Sequence, residues 1–143
     1  MRQINAAGLA LLKSFEGLRL KAYRCPAGVW TIGYGTTANV REGQVITEQQ
    51  AEGFLKADLA KFEAGVERLL AGATVNENMF SACVSLAYNI GLNAFAGSTV
   101  LKRIKLGNKI GAANAFEMWV RGGGKILPGL VRRREAERKL FLS

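Results

Sequence analysis

The chain contains no histidine, so any acid–base catalysis must use other side chains. This excludes a Ser–His triad and the usual zinc sites. The remaining candidates for a general acid or base are ten Glu, Asp58, two Cys, and the lysines and tyrosines. The two thiols, Cys25 and Cys83, are too few for a disulfide-rich scaffold or a cysteine zinc cluster. We therefore expect neither a metal ion nor a cofactor.

Glu16 has the sequence context of a general acid. It ends the first predicted helix, between Phe15 and Gly17-Leu18, so its carboxyl is expected to be half-buried beside apolar groups. A carboxyl group that burial keeps uncharged can donate a proton near neutral pH, as a general acid must. The competing interpretation is a surface Glu near a helix C-terminus, where the helix dipole disfavours an anion.

The elements that must position these groups follow from the hydrophobic pattern. In order, we predict a helix over residues 6–15 after the N-cap Asn5, two or three short antiparallel strands between residues 17 and 46, and a long helix from a Thr47–Gln50 capping box through Leu70. Everything beyond is predicted helical: a buried helix over 79–90 after Asn76 or Asn78, then helices over 100–106, 110–119 and 129–140, with a glycine loop at 122–124.

These elements predict an α+β fold in a single domain over residues 1–143. A small β lobe over about 17–46 is joined by the helix over about 47–70 to a helical lobe, which comprises about 71–143 and the N-terminal helix. A cleft between two such lobes is the usual place for a ligand.

Composition adds a strong positive charge. The chain has 143 residues, of which 49% are hydrophobic and 22% charged, as in globular proteins. Lys and Arg exceed Asp and Glu by 20 to 11, and the net charge of +9 favours an anionic partner. The longest apolar run considered, residues 6–12, is far too short to span a bilayer.

Two segments resemble the active-site region of the phage-type lysozymes, glycoside hydrolase family twenty-four. They read Ser-Phe-Glu-Gly-Leu-Arg-Leu-Lys-Ala-Tyr at 14–23 and Trp-Thr-Ile-Gly-Tyr-Gly at 30–35. The family motif is Glu, eight residues, Asp, five residues, Thr; here Glu16, Cys25 and Thr31 stand at that spacing. The resemblance continues at 89–91, at 98–101 and from 119 to 135, and so covers essentially the whole chain.

The resemblance implies a lysozyme-like fold and an endolysin that lyses the host cell. Such a muramidase hydrolyses the β-1,4 bond between N-acetylmuramic acid and N-acetylglucosamine in peptidoglycan. Glu16 would be the general acid, and the Thr31 hydroxyl would help to hold the attacking water. Taken alone, Thr31 is an ordinary strand threonine.

Cys25 departs from the family pattern, because most members have Asp there. A thiolate could activate water or attack the sugar as a nucleophile, or the position could be dispensable. The first two roles need ionised sulfur, which nearby Arg24 and Lys21 are expected to favour by lowering the thiol pKa. Cys83, inside the apolar helix, is predicted to be core.

Three further residues have alternative interpretations. Arg133 in the last helix would reach Glu16 or a sugar acyl group from across the cleft, or belong to a solvated basic face. Asn89 would bind sugar or cap the central helix. Thr36 stands where many family members carry a His that forms structural contacts, so a stabilising interaction is in doubt there.

Two other functions remain as alternatives: an impaired lysozyme that binds glycan without cutting it, and a basic protein that binds nucleic acid or a membrane surface. The favoured hypothesis is a monomer whose partner is the peptidoglycan strand, with no nucleic acid and no membrane span. It would be made in the host cytoplasm, then released through a lesion made by another protein to act on the wall in the periplasm. A chain trimmed of an N-terminal anchor would look the same.

Overall fold

The computed structural model describes residues 2–143. Its elements are α1 (Ala6–Glu16), β1 (Arg19–Arg24), β2 (Trp30–Gly33), α2 (Glu48–Leu70), α3 (Glu77–Ile90), α4 (Leu92–Ala96), α5 (Thr99–Lys105), α6 (Lys109–Ala115), a 3-10 turn (Phe116–Met118), β3 (Arg121–Gly122), β4 (Lys125–Ile126) and α7 (Pro128–Leu142). The predicted α+β class is confirmed. None of the helices described is both long and apolar enough to cross a membrane.

The chain divides into two compact units. We call Lys13–Lys61 the hairpin unit, and residues 2–12 with Phe62–Ser143 the helical unit. The division falls within α1 and within α2, so each of these helices contributes residues to both units.

The hairpin unit is built on the antiparallel pair β1–β2. The strands pair Arg19 with Gly33 and Tyr23 with Thr31, and the register shifts between these two pairs. Beyond β2 the chain turns back on itself, and Ile32 and Thr36 exchange both backbone hydrogen bonds at 2.9 Å. The first β-rich segment predicted from sequence is thus a two-stranded hairpin with a tight turn after it.

The predicted helix starts agree with the structure. The Asn5 side chain accepts a hydrogen bond from the Gly8 N–H at 2.9 Å, which caps α1. At the start of α2, Thr47 N–H donates to Gln50 Oε1 at 2.9 Å and Gln50 N–H donates to Thr47 Oγ1 at 3.1 Å. This reciprocal pair is the predicted capping box.

The helical unit is centred on α3, which is buried continuously from Met79 to Ala87. Asn76, one of the two predicted caps, accepts from the Met79 N–H at 2.8 Å. Cys83 is 0% exposed, so its prediction as core is confirmed. An unbroken apolar run therefore forms a helix surrounded by protein on all sides.

The glycine loop predicted at 122–124 lies in a second hairpin that the sequence analysis did not predict. Residues 121–126 form this hairpin, β3–β4, in which Gly122 pairs with Lys125. Gly123 and Gly124 have φ of +59° and +80°, and a two-residue turn with both φ positive matches the twist of the strands that it joins. The helix predicted over 110–119 also ends earlier, at Ala115, and continues as the 3-10 turn.

Candidate active site

Glu16 is the last residue of α1, and it is half-buried as predicted. Gly17 has φ of +72° and its N–H donates to Lys13 O at 3.0 Å. A glycine in the left-handed region ends a helix without the steric cost that a side chain would bring. The carboxyl therefore lies where α1 stops and the chain turns toward β1, which begins at Arg19.

Lys13, one turn before Glu16, ties the end of α1 to the rest of the hairpin unit. Its ammonium group pairs with Glu52 on α2 and lies 5.5 Å from the centre of the Tyr34 ring. Burial raises the pKa of Tyr34, with a further contribution from Glu52, which accepts from the Tyr34 hydroxyl at 3.5 Å. Sequence reasoning did not identify Lys13, Glu52 and Tyr34 as neighbours. The available signal was the position of Lys13 three residues before Glu16, which is the spacing of neighbours on one helix face.

The β1–β2 hairpin brings Cys25 and Thr31 together. Arg24 pairs with Trp30, so Cys25 and Thr31 lie at the two sides of the hairpin loop. Cys25 N–H donates to Val29 O at 3.0 Å, and the Thr31 hydroxyl donates to the same carbonyl at 3.0 Å. Thr31 is buried whereas Cys25 is half-buried. The loop therefore holds a thiol and a hydroxyl in fixed positions.

The pKa of Cys25 lies below the ordinary thiol value, mainly because of a backbone hydrogen bond from Val29. Partial burial opposes this effect, while the backbone of Ala27 and the Thr31 hydroxyl add to it. We expected neighbouring cations to lower this pKa, and that expectation is wrong. The Arg24 guanidinium instead stacks over the Trp30 ring, 5.0 Å from its centre, and hydrogen-bond donors stabilise the thiolate.

Thr36 has a structural hydrogen-bond partner on α2. Its hydroxyl donates to Asp58 Oδ2 at 2.7 Å, and Thr36 is buried. Asp58 is the single aspartate in the chain. A stabilising interaction is thus present at this position without a histidine.

Arg133 lies in the helical unit and is buried. Its guanidinium donates to Glu137 Oε2 at 3.2 Å and to the Ser85 carbonyl at 3.1 Å. The Ser85 hydroxyl also donates to Glu137, at 2.5 Å. The prediction of a solvated basic face is therefore wrong at Arg133 and at the adjacent Arg134, which is also buried.

Asn89 lies one residue before the end of α3, is exposed, and accepts a hydrogen bond from Arg134. Arg134 also donates to Glu137 Oε1 at 2.9 Å. Burial raises the pKa of Glu137, and the two guanidinium groups and Ser85 oppose that rise. The end of α3 is satisfied by Gly91, whose N–H donates to Ala87 O.

The predicted site residues thus fall into two groups. Glu16, Cys25 and Thr31 belong to the hairpin unit. Arg133 and Asn89 belong to the helical unit, in one hydrogen-bonded group that we call the α7 network and that comprises Ser85, Asn89, Arg133, Arg134 and Glu137. Across residues 2–143, no three Cys, Asp or Glu side chains come together in a way that could hold a metal ion.

This chain is similar to several known proteins. The family described as Phage lysozyme matches residues 13–137. The endolysin of Acyrthosiphon pisum secondary endosymbiont phage 1 is 46% identical over 144 residues, covering 98% of each chain. The endolysin of Bacillus phage B103 is 48% identical, and this chain covers 54% of its length. The crystal structure of a mutant P22 lysozyme superposes with a TM-score of 0.90 at 42% identity, covering 100% of both chains. The chain therefore belongs to the phage lysozyme family.

Proposed function

We propose that this lysozyme belongs to glycoside hydrolase family twenty-four and cuts the β-1,4 bond between N-acetylmuramic acid and N-acetylglucosamine. The chain is a phage-type endolysin and a glycoside hydrolase that lyses peptidoglycan. The observation that carries the proposal is the β1–β2 hairpin, in which a thiol of lowered pKa and the Thr31 hydroxyl flank one loop at the motif spacing from Glu16.

Glu16 acts as the general acid. Glycoside hydrolysis requires a protonated carboxyl beside the leaving oxygen and a second group on the opposite face of the sugar. Glu16 is half-buried at the end of α1. Its proton passes to the glycosidic oxygen as the bond to the anomeric carbon breaks.

Cys25 acts as the general base, assisted by Thr31. The Thr31 hydroxyl donates to Val29 O, which leaves its lone pairs to accept a hydrogen bond from the attacking water. The Cys25 thiolate takes the proton from that water as its oxygen bonds to the anomeric carbon. One proton is lost by Glu16 and one gained by Cys25. Because the water attacks in a single displacement from the face opposite the leaving oxygen, the reaction inverts the anomeric centre.

Glu16→Gln tests the acid. We expect lysis of purified walls to fall by about a hundredfold or more, since general acid catalysis contributes about 10²–10⁴ in rate. The matched control is Glu42→Gln, an exposed glutamate in the same unit, which should keep wild-type activity. Circular dichroism confirms folding, and a folded Glu16→Gln that lyses at the wild-type rate would refute the assignment.

A Cys25 series tests the base. We expect Cys25→Ala and Cys25→Ser to lose most activity and Cys25→Asp to recover it. Wild-type activity should rise with pH through a thiol pKa below the ordinary value, because only the thiolate accepts a proton, and the same rise in Cys25→Asp should move to acid pH. Full activity in Cys25→Ala contradicts the role.

The stereochemistry separates base from nucleophile. Proton NMR of the first-formed product should show the inverted anomer, and a retained anomer would instead mean that Cys25 forms a covalent glycosyl intermediate.

The proposal also covers Arg133 and Asn89, the partner of the enzyme and the place where it acts. Arg133 and Asn89 act either in substrate binding or in orienting the acid. The enzyme works as a monomer on peptidoglycan strands, with no nucleic-acid partner. It is made in the host cytoplasm and reaches the wall after release. The division into β lobe, connecting helix and helical lobe describes one lysozyme-like domain.

A further inference from the structure

The turn between α5 and α6 combines positive charge with exposed apolar surface. We call Lys102, Lys105, Leu106, Lys109 and Ile110 the basic corner. Leu106 is 80% exposed and Ile110 is 62% exposed, and all three lysines are exposed as well. Exposed apolar surface with charged residues around it is typical of a site that interacts with a protein or a membrane.

The charge of the basic corner is not balanced locally. The sequence contains no acidic residue between Glu77 and Glu117. Among the residues that the structure describes, none of the three lysines takes part in an ion pair. The corner therefore presents a positive surface to an approaching anion.

The basic corner is held rigidly in this exposed position. Both helices direct apolar side chains inward, namely Val100, Leu101 and Ile104 from α5 and Ala112, Ala113 and Ala115 from α6. The two helices are also linked directly, because Arg103 Nη1 donates to Gly111 O at 3.0 Å. Asn108 caps α6 by accepting from the Gly111 N–H at 2.9 Å. The packing of α5 and α6 therefore holds the turn in place, and with it the exposed positions of Leu106 and Ile110.

We propose that the basic corner docks the protein on a bilayer that contains anionic phospholipids. Leu106 and Ile110 enter the boundary between headgroups and acyl chains, while the lysines contact lipid phosphates. The apolar pair favours a bilayer over nucleic acid, because a phosphate backbone attracts lysine but offers nothing to leucine. The protein would lie on the membrane without crossing it. This docking does not depend on the glycosidase mechanism.

The charged part is tested by sedimentation with vesicles of phosphatidylglycerol and phosphatidylcholine in equal parts. We expect wild-type protein to bind these vesicles, to release at high salt, and not to bind pure phosphatidylcholine. The triple variant Lys102→Gln, Lys105→Gln, Lys109→Gln should bind about a hundredfold more weakly, from the contribution of each lysine near an anionic surface. The matched control changes the exposed Lys56, Lys61 and Lys139 to Gln, which removes the same charge elsewhere.

The apolar part is tested by changing Leu106 and Ile110 together to Ser. We expect about tenfold weaker vesicle binding from the loss of two inserting side chains. The control pair is Val45→Ser with Met118→Ser, whose side chains are 69% and 63% exposed, and it should bind as wild type does.

Three results would overturn the proposal. The first is no binding of wild-type protein to the anionic vesicles. The second is an equal loss in the test and control variants, which would mean attraction by net charge alone. The third is binding of DNA or teichoic acid that depends on the three lysines, with vesicle binding unchanged by the Leu106 and Ile110 substitutions. Glu16→Gln should bind vesicles like wild type, which separates this outcome from any failure of the proposed catalysis.

Discussion

The two cysteines of this chain have the same side chain and opposite chemistry. Cys25 lies in the β1–β2 loop, half-buried, where hydrogen-bond donors lower its pKa. Cys83 lies in the middle of α3, fully buried, where desolvation and then the charge of Glu137 raise its pKa. Sulfur is reactive only as thiolate, so surroundings decide whether a cysteine is a catalyst or a piece of the core.

The two units also place their other polar groups in different surroundings. In the hairpin unit, the Thr31 hydroxyl and the backbone N–H of Cys25 both donate to the Val29 carbonyl at the loop. In the helical unit, Arg133, Arg134 and Glu137 are almost completely buried and form ion pairs with one another. The first arrangement can be altered with little effect on folding, whereas breaking an ion pair in the second disturbs charges that are removed from water.

The largest expected effect is in thiol labelling of the native protein. Iodoacetamide should modify Cys25 more than about a thousandfold faster than Cys83, because Cys83 reacts only after the helical unit opens, which costs much of the free energy of unfolding. Mass spectrometry of peptides from a time course measures both rates. Cys25→Ala should show no fast labelling. Comparable labelling rates at Cys25 and Cys83 in the folded protein would contradict the proposed difference in their reactivity.

Glu137→Gln should lower the free energy of unfolding by about 3–5 kcal/mol, because it breaks the two buried ion pairs that Glu137 forms with Arg133 and Arg134. Urea denaturation measures the change. Glu135→Gln, an exposed neighbour on α7, should stay within about 0.5 kcal/mol of wild type. Cys25→Ala should likewise change the free energy of unfolding by no more than about 0.5 kcal/mol. If Cys25→Ala destabilised the protein as much as Glu137→Gln does, the two units would not differ in the way described.

The smallest effect concerns the structural hydrogen bond of the hairpin unit. Thr36→Val removes the donor to Asp58 and should reduce the free energy of unfolding by about 1–3 kcal/mol. Thr37→Val, at the exposed position next to it, serves as the control. If the two variants unfold at the same urea concentration, the Thr36–Asp58 bond adds nothing to stability.

Local sequence was sufficient for most of the secondary structure. The caps at Asn5, Thr47–Gln50 and Asn76 are set by residues three positions apart, so their hydrogen bonds can be predicted from spacing alone. The β3–β4 hairpin was missed because its strands have only two residues each. Such strands carry no hydrophobic alternation, and Gly123-Gly124 fits a loop equally well.

The sequence by itself determined the family motif that contains Glu16, and the starts of α1, α2 and α3. Only the tertiary structure decided which groups lower the pKa of Cys25, that Arg133 and Arg134 share one buried carboxylate, and that Thr36 finds Asp58. The partners of Arg133 and Thr36 at Ser85 and Asp58 lie 48 and 22 residues away along the chain. Helical and strand periodicity extends over a few residues, whereas the pKa and strength of a polar group depend on burial and on neighbours that folding brings from distant positions.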